Sequence, residues 1–253
     1  LLAELKSYDI ESNKERQISN ESVKEINRRN TIMRDNSLDI ATMVAYTEAG
    51  KSITIKEKKN VVIARTKDNG LEVGDIILSA DNTTCEDVND IKKIINNKKE
   101  NDTITFKILR NNKEKEVNSK IYLENNYKVV GVVIVTEYDY DIDPKIDIKF
   151  KNSESGASGG LMLTLTIYNA ITDGDIIKDR KIAGTGTISY DGTVGEIDGI
   201  KYKIMGAAKD NVKIVFVPTA NYEEAIMTKN KYKYDLEIVR VDNFKEAIEY
   251  LKK

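Results

Sequence analysis

In the first part of the chain, apolar residues recur at helical spacing over one stretch, Leu38, Ala41, Val44 and Ala45. Ser37 and Asp39 flank its start and Gly50 lies just past its end. The stretch therefore predicts an amphipathic helix packed on a neighbouring domain as a brace. The rest of residues 1–58 is polar and mostly helical in pattern, and is read as one N-terminal helical region.

Between residues 59 and 123 the period shortens. Asn60 to Ala64 is a short apolar strand, and Gly70-Leu71-Glu72-Val73-Gly74-Asp75 is a turn into a second strand through Leu78. Val88, Ile91, Ile94 and Ile95 share one helical face between Asp87 and Asn96. Thr103 to Leu109 alternates as a strand, and Asn111-Asn112 turns it back into Glu114 to Val117. Residues 126–253 then alternate the two periods, which predicts an α/β arrangement of mixed sheet and helices. Strand candidates are Val129–Val135, Lys145–Phe150, Ile182–Ile188, Val212–Val217 and Leu236–Val241. Helices are expected over Leu161–Ala170, Ile200–Ala208, Tyr222–Thr228 and Phe244–Leu251. The fold class is thus α+β to α/β, in three regions: helical, β-rich and α/β.

Composition removes several kinds of chemistry. The 253 residues contain 40 Lys+Arg and 42 Asp+Glu, a net charge of -2, so no global field draws the chain to nucleic acid. The single Cys85 excludes an internal disulfide and a multi-cysteine metal site. There is no histidine, which excludes a Ser-His-Asp triad and a histidine-ligated zinc centre. Asp139, Asp141, Asp143 and Asp147 lack the glycine and closing glutamate of a calcium loop, and Pro144 interrupts them. No phosphate loop is present, and Gly184-x-Gly186 lacks the third glycine of a dinucleotide fingerprint. No cofactor and no metal is expected. No apolar run approaches the roughly 20 residues needed to cross a bilayer, and no signal peptide is visible. The chain opens on Leu1-Leu2-Ala3-Glu4 with no initiator methionine.

One segment reads as a nucleophile turn. Gly156, Ala157, Gly159 and Gly160 surround Ser158 just before the helix at Leu161, leaving room for a substrate backbone. Helix N-termini carry unpaired amides and partial positive charge, which suit a developing oxyanion. Without histidine the base must be a lysine, a carboxylate or a terminal amine. Lys201 opens the helix at Ile200, with Ile200, Ile204 and Met205 nearby in sequence. Bringing a lysine from about 10.4 to about 7.5 requires about 4 kcal/mol of differential stabilisation, which burial without a carboxylate partner supplies. Lys203 is the rival base, and two positions along a helix it is expected to face elsewhere. Taken singly, Ser158 also reads as an N-capping serine and Lys201 as a snorkelling surface lysine.

Two resemblances bear on that choice. The stretch from Gly70 to Val117, with its G-L-x-x-G-D-x-I-L core, resembles the second half of a PDZ domain. Where such domains hold a peptide carboxylate, this chain offers Lys59-Asn60-Val61-Val62. Residues 126–253 resemble the proteolytic domain of the Lon family. The matching segments are Gly156-Ala157-Ser158-Gly159-Gly160, the Thr185-Gly186 strand, the Asp191-Gly192-Thr193-Val194 hairpin and Asp198-Gly199-Ile200-Lys201. Ser158 and Lys201 stand 43 residues apart, a separation that agrees with the family. The departures are Ser155 for an aspartate, Ala157 for a proline and Gly159 for an alanine.

The order of modules resembles the PDZ-bearing, Lon-like peptidases of bacteria. That resemblance implies an ATP-independent serine endopeptidase with a Ser158–Lys201 dyad. Thr185 would orient the lysine, and amides near Gly156, Ala157 and Gly159 would hold the oxyanion. It implies protein or peptide substrates recruited by the PDZ-like module through strand addition. It also implies homo-oligomeric rings, and an N-terminal membrane anchor that holds this region outside the cytoplasm. The competing expectation is a catalytically silent or latent peptide-binding scaffold that acts through the PDZ-like module.

Overall fold

The computed structural model describes residues 22–148 and 157–253. The chain forms two compact units, and three elements contribute several residues to each. These are α1 (Val23–Glu48), β1 (Ser52–Arg65) and β8 (Val132–Asp143). Helix α1 starts well before the apolar stretch at Leu38. The Ser22 hydroxyl accepts from the Glu25 amide at 3.2 Å, and the Glu25 carboxylate accepts from the Ser22 amide at 2.9 Å. That reciprocal capping box supplies acceptors to two amides that a helix start leaves unpaired. At the other end the helix stops at Gly50, whose φ of 63° a side chain would disfavour. The helical region expected through residue 58 therefore ends sooner, because β1 begins at Ser52.

The first unit is β-rich, and it includes residues 61–85 and 89–134. Its elements are β2 (Ile76–Ala80), β3 (Thr83–Thr84), α2 (Val88–Asn96), β4 (Thr103–Arg110), β5 (Lys113–Lys120), β6 (Tyr122–Glu124) and β7 (Tyr127–Val129). The sheet order is β5-β4-β2-β1-β8. Strands β4 and β5 form the expected hairpin. Arg110 pairs with Lys113 across Asn111-Asn112, both at positive φ, as a two-residue hairpin turn requires. Inside lie Val62, Leu71, Ile77, Ile104 and Phe106 with Ile91 and Ile95 of α2.

The turn before β2 is fastened by charge. Arg110 donates to both carboxylate oxygens of Asp75 at 2.7 Å and to the Gly70 carbonyl at 2.8 Å, with Asp75 only 1% exposed. A forked guanidinium compensates a carboxylate withdrawn from water.

The sheet order places two segments. The segment Lys59–Val62 is not an open edge. Val62 exchanges bonds with Gly74 and Asp75 on one side, and Thr66 bonds to Gly131 on the other, so β1 is interior and β8 ends the sheet. The α/β region also begins later than residue 126. Val130, Val132 and Ile134 pack into the β-rich core, so the second unit takes up β8 only at Val135.

The second unit carries the α/β part. Its elements are α3 (Gly160–Ile171), β9 (Ile182–Gly184), β10 (Thr187–Ile188), β11 (Val194–Gly195), α4 (Ile200–Lys209), β12 (Ile214–Pro218), α5 (Tyr222–Tyr232), β13 (Glu237–Val241) and α6 (Phe244–Lys252). Strands β13-β12-β9 form a parallel sheet with β12 in the middle. Successive residues of β12 enter opposite cores. Phe216 packs with Leu161, Leu165 and Phe244, while Val215 and Val217 pack with Ile200, Ile204 and Ala225. This is the period-two alternation of a strand covered on both faces, and each fully buried side chain there contributes about 1.5–3 kcal/mol. The single strand expected over Ile182–Ile188 is broken at Thr185-Gly186, where Gly186 sits at φ 153°. Of the Lys145–Phe150 candidate, residues 145–148 are irregular and the remainder lies outside the described residues. Among the described residues no helix is long and apolar enough to cross a membrane.

Within the second unit, Asp39 of α1 is a partly buried carboxyl. Burial is the main cause that raises its carboxyl to about 6 from 3.8, and the charges of Asp35 and Asp139 push the same way. The Tyr138 amide and the Tyr140 hydroxyl oppose the shift by bonding to Asp39. Burial and the charges of Asp39 and Asp35 raise Glu137 as well. A carboxyl that is more basic folded than unfolded takes up its proton more readily in the fold. Its contribution to stability therefore grows as pH falls through about 6 and is complete below about 4. Thermal melts at pH 5 and pH 7.5 check this. The melting temperature of the wild type should gain more on acidification than that of Asp39→Asn, and equal gains would refute it.

Candidate active site

Ser158 lies in a single 3-10 turn, Ala157–Gly159, that leads into α3 at Gly160. The turn is tied to the break between β9 and β10. The Ser158 carbonyl accepts from the Thr185 hydroxyl and from the Gly186 amide, both at 2.9 Å. The Leu161 amide in turn donates to the Gly186 carbonyl at 3.1 Å. Two glycines permit that approach. A Cβ on Gly160 would stand 2.9 Å from the Ile188 amide nitrogen, and one on Gly186 would stand 2.6 Å from Val194. At Gly159 a Cβ would meet nothing within 4 Å, so one side of the turn is open.

Helix α4 brings the cation. Gly199 takes the left-handed conformation at φ 71°, and its carbonyl accepts from the amides of Tyr202 and Lys203 at 3.1 and 3.4 Å. The Lys203 Nζ then donates to the Ser158 Oγ at 3.2 Å. Ser158 thus meets the amine of Lys203, the rival base in the sequence. The Lys201 Nζ lies over the Tyr202 ring, 5.5 Å from its centroid. Ile200, Ile204 and Ala207 form the buried stripe of α4. At 100° per residue, Lys201 and Lys203 fall on opposite flanks of that stripe, and the Lys203 flank meets the serine. The sequence put two lysines on two flanks and held no local signal for which flank would face Ser158.

Thr185 is 2% exposed, its amide donates to the Phe216 carbonyl at 3.0 Å, and its hydroxyl donates to the Ser158 carbonyl. It thus holds the segment that carries Ser158. Ala157 and Gly159 flank Ser158 as expected, and Gly156 lies outside the described residues. Along the outer face of α3, Leu163, Ile167 and Ala170 line a cavity of about 430 Å³ together with Ile146 and Ile148.

Residues 147–252 match the family model of the Lon protease (S16) C-terminal proteolytic domain, and residues 46–121 match that of the PDZ domain. The chain combines a PDZ domain with a Lon-type proteolytic domain. Similar proteins include the Lon protease of Mesomycoplasma hyopneumoniae, 30% identical over 98 residues, which are 39% of this chain and 11% of that protein. The Lon protease of Campylobacter jejuni is 28% identical over 121 residues, 43% of this chain and 15% of that protein. The archaeal Lon protease of Halobacterium salinarum is 30% identical over 104 residues, 40% of this chain and 15% of that protein. The chain thus spans a small part of the length of these relatives. Among solved structures, the PDZ domain of the SdrC-like protein from Listeria monocytogenes covers 32% of this chain and 93% of its own, at 18% identity and a TM-score of 0.30.

The Lon-type match and the hydrogen bonds bring attention to the same turn, so its anchoring is open to measurement. Thr185→Val removes a buried hydroxyl donor at nearly constant volume and should cost about 1 kcal/mol in chemical denaturation. Thr185→Ser keeps the donor and should recover most of that loss. Equal losses in the two variants would refute a role for the hydroxyl.

Proposed function

We propose that this chain is a serine endopeptidase in which Ser158 is the nucleophile and Lys203 its base. The reading rests on the 3.2 Å contact between the Lys203 Nζ and the Ser158 Oγ. The neutral amine of Lys203 takes the hydroxyl proton as Oγ attacks a peptide carbonyl carbon. Charge develops on the carbonyl oxygen beside the N-terminus of α3, where the helix dipole and amides of the turn favour an anion. The intermediate collapses with proton transfer from the Lys203 ammonium to the leaving amine. Water, giving a proton to Lys203, then attacks the acyl carbonyl, and the Lys203 ammonium returns that proton to the Ser158 Oγ as the ester bond breaks and the acid product leaves. No step needs a nucleotide, and the given sequence carries no phosphate loop.

Lys203 is exposed. A substrate lying over the pair would exclude water and favour the neutral amine that the mechanism requires. The same exposure supports a second reading, in which the dyad is latent until a partner covers it.

Cleavage of an unfolded protein such as casein, with fluorophosphonate labelling of Ser158, tests the dyad. Ser158→Ala and Lys203→Ala should each lower the rate by at least about a thousandfold, as removing a nucleophile or its base does. Lys201→Ala should stay within a few-fold of wild type, and a loss there equal to that of Ser158→Ala would make Lys201 the base instead. Cleavage that persists in Lys203→Ala would sink the reading. Labelling without cleavage by the wild type would favour the latent one.

Substrate recruitment belongs to the β-rich unit in this proposal. Strand β8 ends its sheet, and Val132 and Ile134 pack against the core that α2 helps to close. An extended peptide would add to that edge, exchanging main-chain hydrogen bonds with β8. Hydrogen exchange at residues 132–134 should slow when a substrate protein is added to Ser158→Ala. Unchanged exchange there would count against strand addition.

A further inference from the structure

Asn221 is 4% exposed and closes the 3-10 turn, Thr219–Asn221, that follows β12. Its side chain does not cap α5, which starts at the next residue. Both halves of its amide instead go to one backbone residue across the fold. Oδ1 accepts from the Ile197 amide at 3.0 Å, and Nδ2 donates to the Ile197 carbonyl at 2.9 Å. Only a carboxamide offers a donor and an acceptor side by side in this way, and the pairing itself fixes which atom is oxygen.

Ile197 is placed where such a clamp has consequence. Two residues later Gly199 turns the chain through its left-handed conformation into α4. The Gly199 carbonyl holds the Lys203 amide, and Ile197, Ile200 and Ile204 share one core. The clamp therefore fixes the entry of the helix whose second turn presents Lys203 to Ser158. The other end of the pair is referred to the same strand, since the Phe216 carbonyl of β12 holds the Thr185 amide and Thr185 holds Ser158. Strand β12 and the turn that ends at Asn221 thus register the nucleophile segment at one point and the lysine helix at another.

We infer that Asn221 is a positioning residue whose amide clamp on Ile197 sets the distance at which Lys203 meets Ser158. The inference rests on the Ser158–Lys203 reading given above. A shift of about 1 Å in such a pair is enough to lower a rate by about a hundredfold. Asn221 touches no reacting atom, so its loss should appear in kcat and leave KM nearly unchanged.

The test compares Asn221→Leu, Asn221→Asp and Leu236→Ala with Ser158→Ala and Lys203→Ala in one casein and fluorophosphonate assay, run below every melting temperature. Asn221→Leu keeps the volume and loses both bonds. Asn221→Asp keeps the acceptor for the Ile197 amide and loses the donor. Leu236→Ala, in the same apolar core, reports the effect of lost stability alone. The expected result is a fall in kcat and labelling rate of about 10- to 100-fold in Asn221→Leu and a smaller fall in Asn221→Asp. KM should change less than about twofold, and Leu236→Ala should stay near wild type. The inference is overturned if Asn221→Leu keeps kcat within about twofold, or loses no more than Leu236→Ala. Should Asn221→Leu not fold, Asn221→Asp decides by the same comparison. If Ser158→Ala or Lys203→Ala retains cleavage, the dyad itself falls. If both abolish it while the Asn221 variants stay active, only the positioning role falls.

Discussion

The interruption of one strand at Thr185-Gly186 is the constraint on which the site depends. Had Ile182 to Ile188 continued as a strand, its amides and carbonyls would have been spent on neighbours within the sheet. The break releases the Thr185 hydroxyl and both backbone groups of Gly186, and these reach Ser158 and Leu161 instead. A turn rich in glycine has little conformational preference of its own. Here three hydrogen bonds and the contact of Gly160 with Ile188 supply the preference from outside, and the order of the nucleophile turn is borrowed from the sheet.

Much of this was legible in the sequence, for physical reasons that also mark where legibility ended. The helices α3, α4 and α6 and the strand β12 lie close to where apolar spacing placed them, because their packing faces are continuous. The Asn111-Asn112 hairpin was legible because few residue pairs tolerate two positive φ values in succession. Ser22 and Glu25 spelled out the start of α1, but the apolar stripe lies nearer its other end and drew the boundary to Ser37. The break at Thr185 was hidden because Thr, Gly and Thr fit the alternation of a strand, and only Gly186 at φ 153° betrays the turn.

Sequence spacing alone does not decide between Lys201 and Lys203. A helical wheel ranks positions by angle from the buried stripe, and these two lie at similar angles on opposite sides of it. Which side faces Ser158 is set by how α4 packs on β12, a fact of tertiary structure. Spacing along the chain cannot replace that fact, since loops between the two segments change length without moving either side chain. The edge of the β-rich unit followed the same rule. Val61 to Ala64 read as a strand, and it is one, yet whether it ends the sheet depends on β8, which lies some 70 residues further along.

The exposure of Lys203 and the burial of its supports belong together. A general base has to lose and regain a proton, so its environment must change between solvated and covered states during turnover. A lysine sealed permanently in an apolar core would meet that need only if substrate could still reach it. The structure divides the task. Thr185 and Phe216, which hold the frame, are buried, and the amine and hydroxyl of the proposed dyad stand nearer solvent. Rigid parts with fixed hydrogen bonds set the distance, and whatever covers the rim sets how far water is excluded. On this arrangement a peptide bound over the proposed dyad would contribute to chemistry as well as to affinity, because it would displace water from both side chains.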